Sequence, residues 1–220
     1  MKVKLVSYTK SCFNEDTNDL SLQNLVAYCA RVSNPSNQQN TETNEKLIRY
    51  LIKNQHWSPF EMVNICIEIE STRDIIRQIL RHRSFSFQEF SQRYAVADLG
   101  FEYKEARLQD MKNRQNSIEL KDENVELKTE WIQKQKEIAN LAQENYNWAL
   151  SNGIAKEQAR AVLPEGMTIS KIYMNGTLRS WIHYIELRSK NGTQKEHIDI
   201  AIACTNAIEP IFPISKYIFE

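Results

Sequence analysis

The chain has 220 residues, 41% hydrophobic and 25% charged, and its 28 basic and 28 acidic side chains cancel. That is enough chain for one domain with a real core, and its neutrality argues against a protein that coats nucleic acid, where a basic excess is needed. Any anion must then be bound by a local cluster rather than by a global field.

Lys2–Tyr8 alternates weakly with period two and reads as a first strand. Leu20–Val32 reads as a helix carrying Leu20, Leu22, Leu25, Val26, Cys29 and Ala30 on one side, and Asn34-Pro35-Ser36-Asn37 breaks it. A polar loop leads to a helix over Glu45–Asn54, followed by a turn, Gln55–Glu61, that contains Pro59. Val63, Ile65, Ile67 and Ile69 then alternate with polar residues and form the clearest strand.

That strand runs into RDIIRQILRHRSFSFQEFSQRY, residues 73–94. Ser71 or Thr72 can cap a helix whose apolar face is Ile75, Ile76, Ile79 and Leu80. Arg73, Arg77 and Arg81 recur at spacing four, where like charges repel by about 0.2–0.5 kcal/mol per pair. Glu70 and Asp74 are the nearest acids for the first two. Arg81 and Arg83 meet none before Glu89. With Arg93 and the interleaved Ser84, Ser86 and Ser91, the stretch reads as an anion site rather than a solvated face. None of the five glycines forms a GxGxxG or P-loop pattern, so side chains must make the phosphate contacts. His82, between two arginines, is expected to be neutral.

Residues 95–116 resist assignment, with Phe101, Tyr103 and Leu108 as candidate anchors. A long helix follows from about Asp122 to Asn152, stopped by Gly153, with a packed stripe of Leu127, Trp131, Ile138, Leu141, Tyr146 and Leu150. Ala155–Leu163 is a short helix and Met167–Met174 a strand. Thr177 caps a helix that buries Leu178, Trp181, Ile182 and Ile185 and places Arg179 and His183 on one face. Asn191-Gly192 is a turn before a last helix, about Gln194–Ile208. His197 on it is given a structural or surface role.

No repeat or domain boundary interrupts residues 1–220, which read as a single α+β domain. The four cysteines lack CxxC spacing and suit a reducing compartment. No signal sequence or apolar run of membrane-spanning length is evident, so a cytoplasmic protein without membrane or nucleic-acid partners is expected. No His or Cys spacing suggests a metal, and no GxSxG or Cys/His pairing suggests a protein nucleophile.

Arg81-His82-Arg83, seven residues, then Ser91-Gln92-Arg93 match RHR-x7-S-x-R. The sequence thereby resembles the flavin-dependent thymidylate synthases, and HWSPFE (56–61), GIAKEQARAVLP (153–164) and NGTLRSWIHYIELR (175–188) agree in order. The resemblance implies an α+β subunit, a β-sheet packed with helices including one long helix, assembling as a homotetramer with active sites between subunits. It implies reductive methylation of dUMP to dTMP with 5,10-methylenetetrahydrofolate as carbon donor and FADH2, regenerated by NADPH, as reductant. It places FAD on His56, Ser58, Arg81, His82, Arg83, Glu89, Thr177, Arg179 and His183. It places dUMP on Gln78, Arg81, Glu89, Ser91, Gln92, Arg93, Arg160 and Arg188, with Arg188 the catalytic residue that stabilises charge on the uracil. The site would be cytoplasmic, in the host cytoplasm if the source is viral. On residue inventory alone, a nucleotide- or RNA-binding module using the same arginines stands as the alternative.

Overall fold

The computed structural model describes residues 1–12, 21–190 and 192–219. Leu20 and Asn191, to which the sequence reading gave a helical and a turn position, lie outside them. Four strands form an antiparallel sheet in the order β1 (Lys2–Tyr8), β2 (Asn64–Thr72), β6 (Ile169–Thr177), β3 (Ser86–Glu89). Alternation on β2 works as read: Ile65, Ile67 and Ile69 are fully buried. On the opposite face, Glu70 pairs across its neighbours with Lys2 and Lys171 at 3.4 and 3.0 Å. Cross-strand charges of opposite sign thus line the polar side.

The apolar face is covered by α1 (Leu22–Ala30), the 3₁₀ turn Ser58–Met62, α6 (Leu178–Arg188) and α7 (Lys195–Ile208), with α2 (Asn44–Lys53) packed on α1. Ser21 caps α1 by accepting from the Asn24 amide, and α8 (Ser215–Ile218) closes the C-terminal side. On α6, Leu178, Trp181, Ile182 and Ile185 are fully buried, and the Thr177 hydroxyl caps the helix by accepting from the Ser180 amide at 3.2 Å. Trp181 donates its indole N–H to the Ile65 carbonyl at 3.0 Å, which fastens α6 to the sheet.

Two helices grow directly from strands. β2 ends at Thr72 and α3 (Arg73–Ile79) begins at Arg73; β6 ends at Thr177 and α6 begins at Leu178. Thr72 stands at the N-cap of α3, but its hydroxyl accepts from the Lys104 ammonium at 2.7 Å rather than from a helix amide. Because α3 stops at Ile79, Arg81 lies beyond the helix on the turn that leads to β3, not on a face shared with Arg73 and Arg77.

The 95–116 region holds β4 (Arg107–Gln109), which pairs with β5 (Ser117–Glu119) as a hairpin. The long helix, α4, spans Val125–Ser151, and Gly153 takes φ +77° after it, a conformation glycine adopts without strain. Its packed side keeps Tyr146 and Leu150 of the expected stripe and differs at the other four positions. The helix buries Gln135, Ala139, Ala142, Tyr146 and Ala149, while Leu127, Trp131, Ile138 and Leu141 are exposed. Gln135 clasps the Lys104 backbone, accepting from its N–H at 2.7 Å and donating to its carbonyl at 2.8 Å. Tyr146 accepts from the Ala97 amide at 3.0 Å. These two polar side chains anchor the irregular segment to the helix; Leu108, one of the anchors expected, is exposed. Beyond it, α5 (Lys156–Ala159) continues as a 3₁₀ turn over Arg160–Val162, shorter than the single helix read over 155–163.

Gly176 on β6 lies against Phe85: a Cβ there would fall 2.4 Å from the ring Cδ1. Phe85 cannot easily give way, since it is buried against Trp181 with ring centroids 4.9 Å apart. Gly176→Ala should therefore cost about 2 kcal/mol of stability through overpacking, read as a lowered denaturation midpoint at constant urea slope.

Candidate active site

The arginine-rich stretch divides into two groups. The first lies along α6. His82 follows α3 on the turn Arg81-His82-Arg83, and Arg188 on the last turn of α6 donates from Nε to His82 Nε2 at 2.9 Å. His82 Nε2 must then be unprotonated, which places the ring proton on Nδ1. Burial pushes the His82 pKa down to about 4 and the Arg188 charge adds to the shift. The imidazole is neutral, as the sequence suggested, but the cause is burial and Arg188 rather than Arg81 and Arg83. Tyr184, one turn before Arg188, supports His82 edge-on at 4.9 Å between ring centroids. Ser180 donates to the Ser84 carbonyl at 3.1 Å, which ties the turn to α6.

Arg81 and Arg83 are exposed, and no carboxylate among the described residues pairs with either. Two uncommitted guanidiniums flanking a neutral imidazole suit a diphosphate-bearing ligand, each fork able to grip phosphate oxygens bidentately.

At the other end of α6, Arg179 pairs with Glu61 at 2.5 Å and His183 meets Trp57 edge-on at 4.5 Å. Burial and Arg179 lower the His183 pKa, against a smaller opposing effect of Glu186. Ser58 opens the 3₁₀ turn beneath them, and His56 is exposed with its ring against Tyr50. Thr177, Arg179, His183 and Ser58 thus gather at the start of α6, while Arg81-His82-Arg83 lie along its length.

The second group surrounds Glu89, which accepts from Arg73 at 3.3 Å and from Ser170 at 3.5 Å. Burial lowers the Arg73 pKa, Glu89 raises it, and the charges of Arg77 and Arg160 lower it again, so three guanidiniums share this neighbourhood. Arg93 pairs with Glu157 at 3.5 Å, and Arg160 Nε donates to the Glu157 carbonyl at 3.2 Å. Ser91 and Gln92 connect β3 to this group. The Gln92 side chain is buried and its amide nitrogen has no hydrogen-bond partner among the described residues. Glu70 and Asp74, the acids expected beside Arg73 and Arg77, are used elsewhere: Glu70 by Lys2 and Lys171, Asp74 by Lys104 at 3.7 Å. Arg77 pairs with Glu165 instead. No hydrogen bond or ion pair among the described residues joins the Glu89 group to Arg188.

Sequence reasoning gave no role to Tyr184, Gln194, Glu196 and Arg107, which with His197 form a partly buried polar layer behind Gln78; His197 is structural, one of the two roles read for it. The His197 ring is fully buried, with its pKa pushed down to about 3 by burial and then by Arg188 and His82. A sequence signal existed for Tyr184, which lies four residues before Arg188 on the same helix face. None existed for His197, which is 119 residues from its partner Gln78.

A cleft of about 750 Å³ opens between the β4–β5 hairpin and the first turns of α4 and α7. It contains none of the residues to which the sequence assigned a ligand.

An α+β protein with two groups of arginine side chains, and with no glycine-rich phosphate loop, is the class that this fold and site define. Residues 17–214 match the family described as "Thymidylate synthase complementing protein". The chain is 49% identical over 213 residues to the "Probable flavin-dependent thymidylate synthase" of Paramecium bursaria Chlorella virus 1, covering 97% of this chain and 96% of that one. It is 48% identical to the "Flavin-dependent thymidylate synthase" of Synechocystis sp., with the same coverage. The fold is similar to that of the UMP/dUMP methylase PolB of Streptomyces cacaoi in its crystal structure with 5-Br dUMP, with a TM-score of 0.81, 26% identity, and 99% of this chain and 93% of that one covered. The chain belongs to the flavin-dependent thymidylate synthase family and is an enzyme of that class. No helix among the described residues is long and apolar enough to cross a membrane.

Proposed function

We propose that the chain makes dTMP from dUMP, taking the carbon from 5,10-methylenetetrahydrofolate and the reducing equivalents from FADH2 that NADPH regenerates. The observation that carries this reading is the Arg188–His82 pair. It fixes a guanidinium at the end of α6, next to a turn whose two flanking arginines have no carboxylate partner among the described residues. When bound, the flavin supplies the hydride that reduces the transferred one-carbon unit.

Arg81, His82 and Arg83, with Thr177, Arg179, His183, Ser58 and His56, are the residues that would hold it. The Arg188 Nε–H is committed to His82, so a bond to the pyrimidine comes from the Nη side of the guanidinium. Its charge stabilises negative charge that develops on the uracil ring and makes C5 nucleophilic, so that no protein nucleophile is needed. Ser91, Gln92, Arg93 and Arg160 take the nucleotide phosphate. Glu89 orients Arg73 at the boundary of the two ligands.

Homotetramer formation, with sites between subunits, completes this reading. The two arginine groups are not joined within one protomer, and α4 carries Leu127, Trp131, Ile138, Leu141 and Trp148 on an exposed side, more apolar surface than a monomeric helix normally leaves to water. A cytoplasmic location fits the same reading.

The absorption spectrum of the purified protein tests it. A bound flavin that NADPH bleaches, and that is reoxidised when dUMP and methylenetetrahydrofolate are added together, is the expected result. A colourless protein whose oligonucleotide binding falls steeply with salt would replace this reading with that of a nucleic-acid-binding module.

A further inference from the structure

The polar layer behind Gln78 has a direction that its chemistry fixes. The Glu196 carboxylate can only accept, and it receives Arg107 Nη2 at 2.6 Å and Gln194 Nε2 at 2.9 Å. Burial pushes the Glu196 pKa up, but the Arg107 hydrogen bond and charge outweigh it and hold the group ionised. With its nitrogen donating to Glu196, Gln194 must accept through Oε1, and Gln78 Nε2 donates there at 2.8 Å. Gln78 Oε1 in turn faces His197 Nδ1 at 3.3 Å. That nitrogen must carry the proton, which leaves His197 Nε2 as an acceptor for the Tyr184 hydroxyl at 3.2 Å. Tyr184 is buried and its pKa is raised well above the ordinary value, so the hydroxyl keeps its proton. Every member of the chain has one permitted orientation, set from the Glu196 end.

We propose that His197 and Tyr184 are positioning residues: the bond between them ties two side chains that the family resemblance assigns to dUMP, Gln78 held by His197 and Arg188 held through His82 by the Tyr184 ring. The inference rests on the function proposed above. Gln78 keeps one amide N–H and one carbonyl lone pair free of the layer, and the layer fixes where they point. Arg188 keeps its heading because the ring that accepts from it is itself braced by Tyr184. His197 and Tyr184 are both fully buried, behind the side chains they position.

Two measurements test this on the flavin-loaded protein. In protein labelled with ¹⁵N in its histidines, His197 should show a protonated Nδ1 and an unprotonated Nε2. The opposite tautomer would overturn the proposed direction whatever the enzyme does. In the second, dUMP affinity is followed by titration of the flavin absorbance alongside thermal unfolding. His197→Leu, which removes both bonds at similar volume, should weaken dUMP binding about tenfold. His197→Asn, whose amide nitrogen can stand where Nδ1 does, should restore it to within about threefold, whereas His197→Gln, which reaches toward Tyr184 instead, should not. Tyr184→Phe, which keeps the ring under His82 and folds without loss of volume, should give an intermediate loss. Equal affinities for the Asn and Gln variants, or unchanged affinity in both His197→Leu and Tyr184→Phe, would overturn the proposal. If His197→Leu fails to fold, the Asn, Gln and Phe variants decide it. Failure of the wild-type protein to bind dUMP at all would instead strike the function proposed above, and the tautomer measurement would still stand.

Discussion

Arg188→Ala should retain its flavin and lose turnover by about 10²–10³-fold, the range found when one donor to a developing anion is removed. On the function proposed above, the guanidinium does two things at once: its Nε holds His82 and its Nη side stabilises the uracil. Alanine ends both, but the first loss is small because His82 is only partly buried and water can replace the donor. Arg188→Lys should recover little, since an ammonium cannot meet an imidazole and a planar ring with one fixed fork. Single-turnover conversion of dUMP, with flavin absorbance recorded on the same sample, separates the two effects. Unchanged turnover in the alanine variant would remove Arg188 from the catalytic role.

The second large effect is a loss of stability in mild acid. The folded-state pKa values of His82, His183 and His197 all lie below the ordinary histidine value, the first at about 4 and the last at about 3. A group depressed in this way protonates more readily in the unfolded chain. Its stabilising effect is complete above the unfolded value of about 6.5 and is lost as pH falls below it. For the fully buried His197 the loss approaches about 1.4 kcal/mol per pH unit; for the partly exposed His82 solvent screening makes it smaller. The charged groups that face these rings are Arg188 for both His82 and His197, and Arg179 and Glu186 for His183. Carboxylates such as Glu70 and Glu196, held below the ordinary range, lose their stabilising effect only at lower pH. Denaturation midpoints should therefore be flat above pH 7 and fall between pH 6.5 and 4.5, with a shallower fall in His197→Asn. A curve that is flat across that interval would contradict neutral burial of these rings.

Much of this organisation was legible in the sequence wherever a periodicity had a single cause. Ile65, Ile67 and Ile69 alternate because one sheet face is covered, and they are buried as read. Thr177 caps α6 because its hydroxyl has a free amide within reach. β3 was missed because SFQE lies inside an arginine-rich run whose charges drew the reading toward ligands. The α4 stripe was misread for a different reason. Hydrophobicity marks the large side chains, but this helix approaches its own chain through Ala139, Ala142 and Ala149, which permit close contact, and turns Leu127, Trp131, Ile138 and Leu141 outward, while Tyr146 and Leu150 pack as read. The partners of Arg73 and Arg77 were misassigned because sequence distance favoured Glu70 and Asp74, whereas the sheet brings Glu89 and the chain reversal brings Glu165. The layer through His197 was invisible because it joins α3, α6 and α7, and nothing local announces a contact across more than a hundred residues.

The seam between β2 and β6 has a kinetic consequence. Asn64 lies opposite Thr177 and Thr72 opposite Ile169, so the two strands that launch α3 and α6 meet across about a hundred intervening residues. Loop closure over such a span is among the slow steps of folding. The signature residues 81–93 are synthesised before their partners, and Gln78 and His82 gain those partners only once α6 and α7 have left the ribosome. Refolding should therefore show burial of Trp181 in a late phase, because it waits for β6 to take its place in the sheet, and dUMP binding should recover no earlier than that phase.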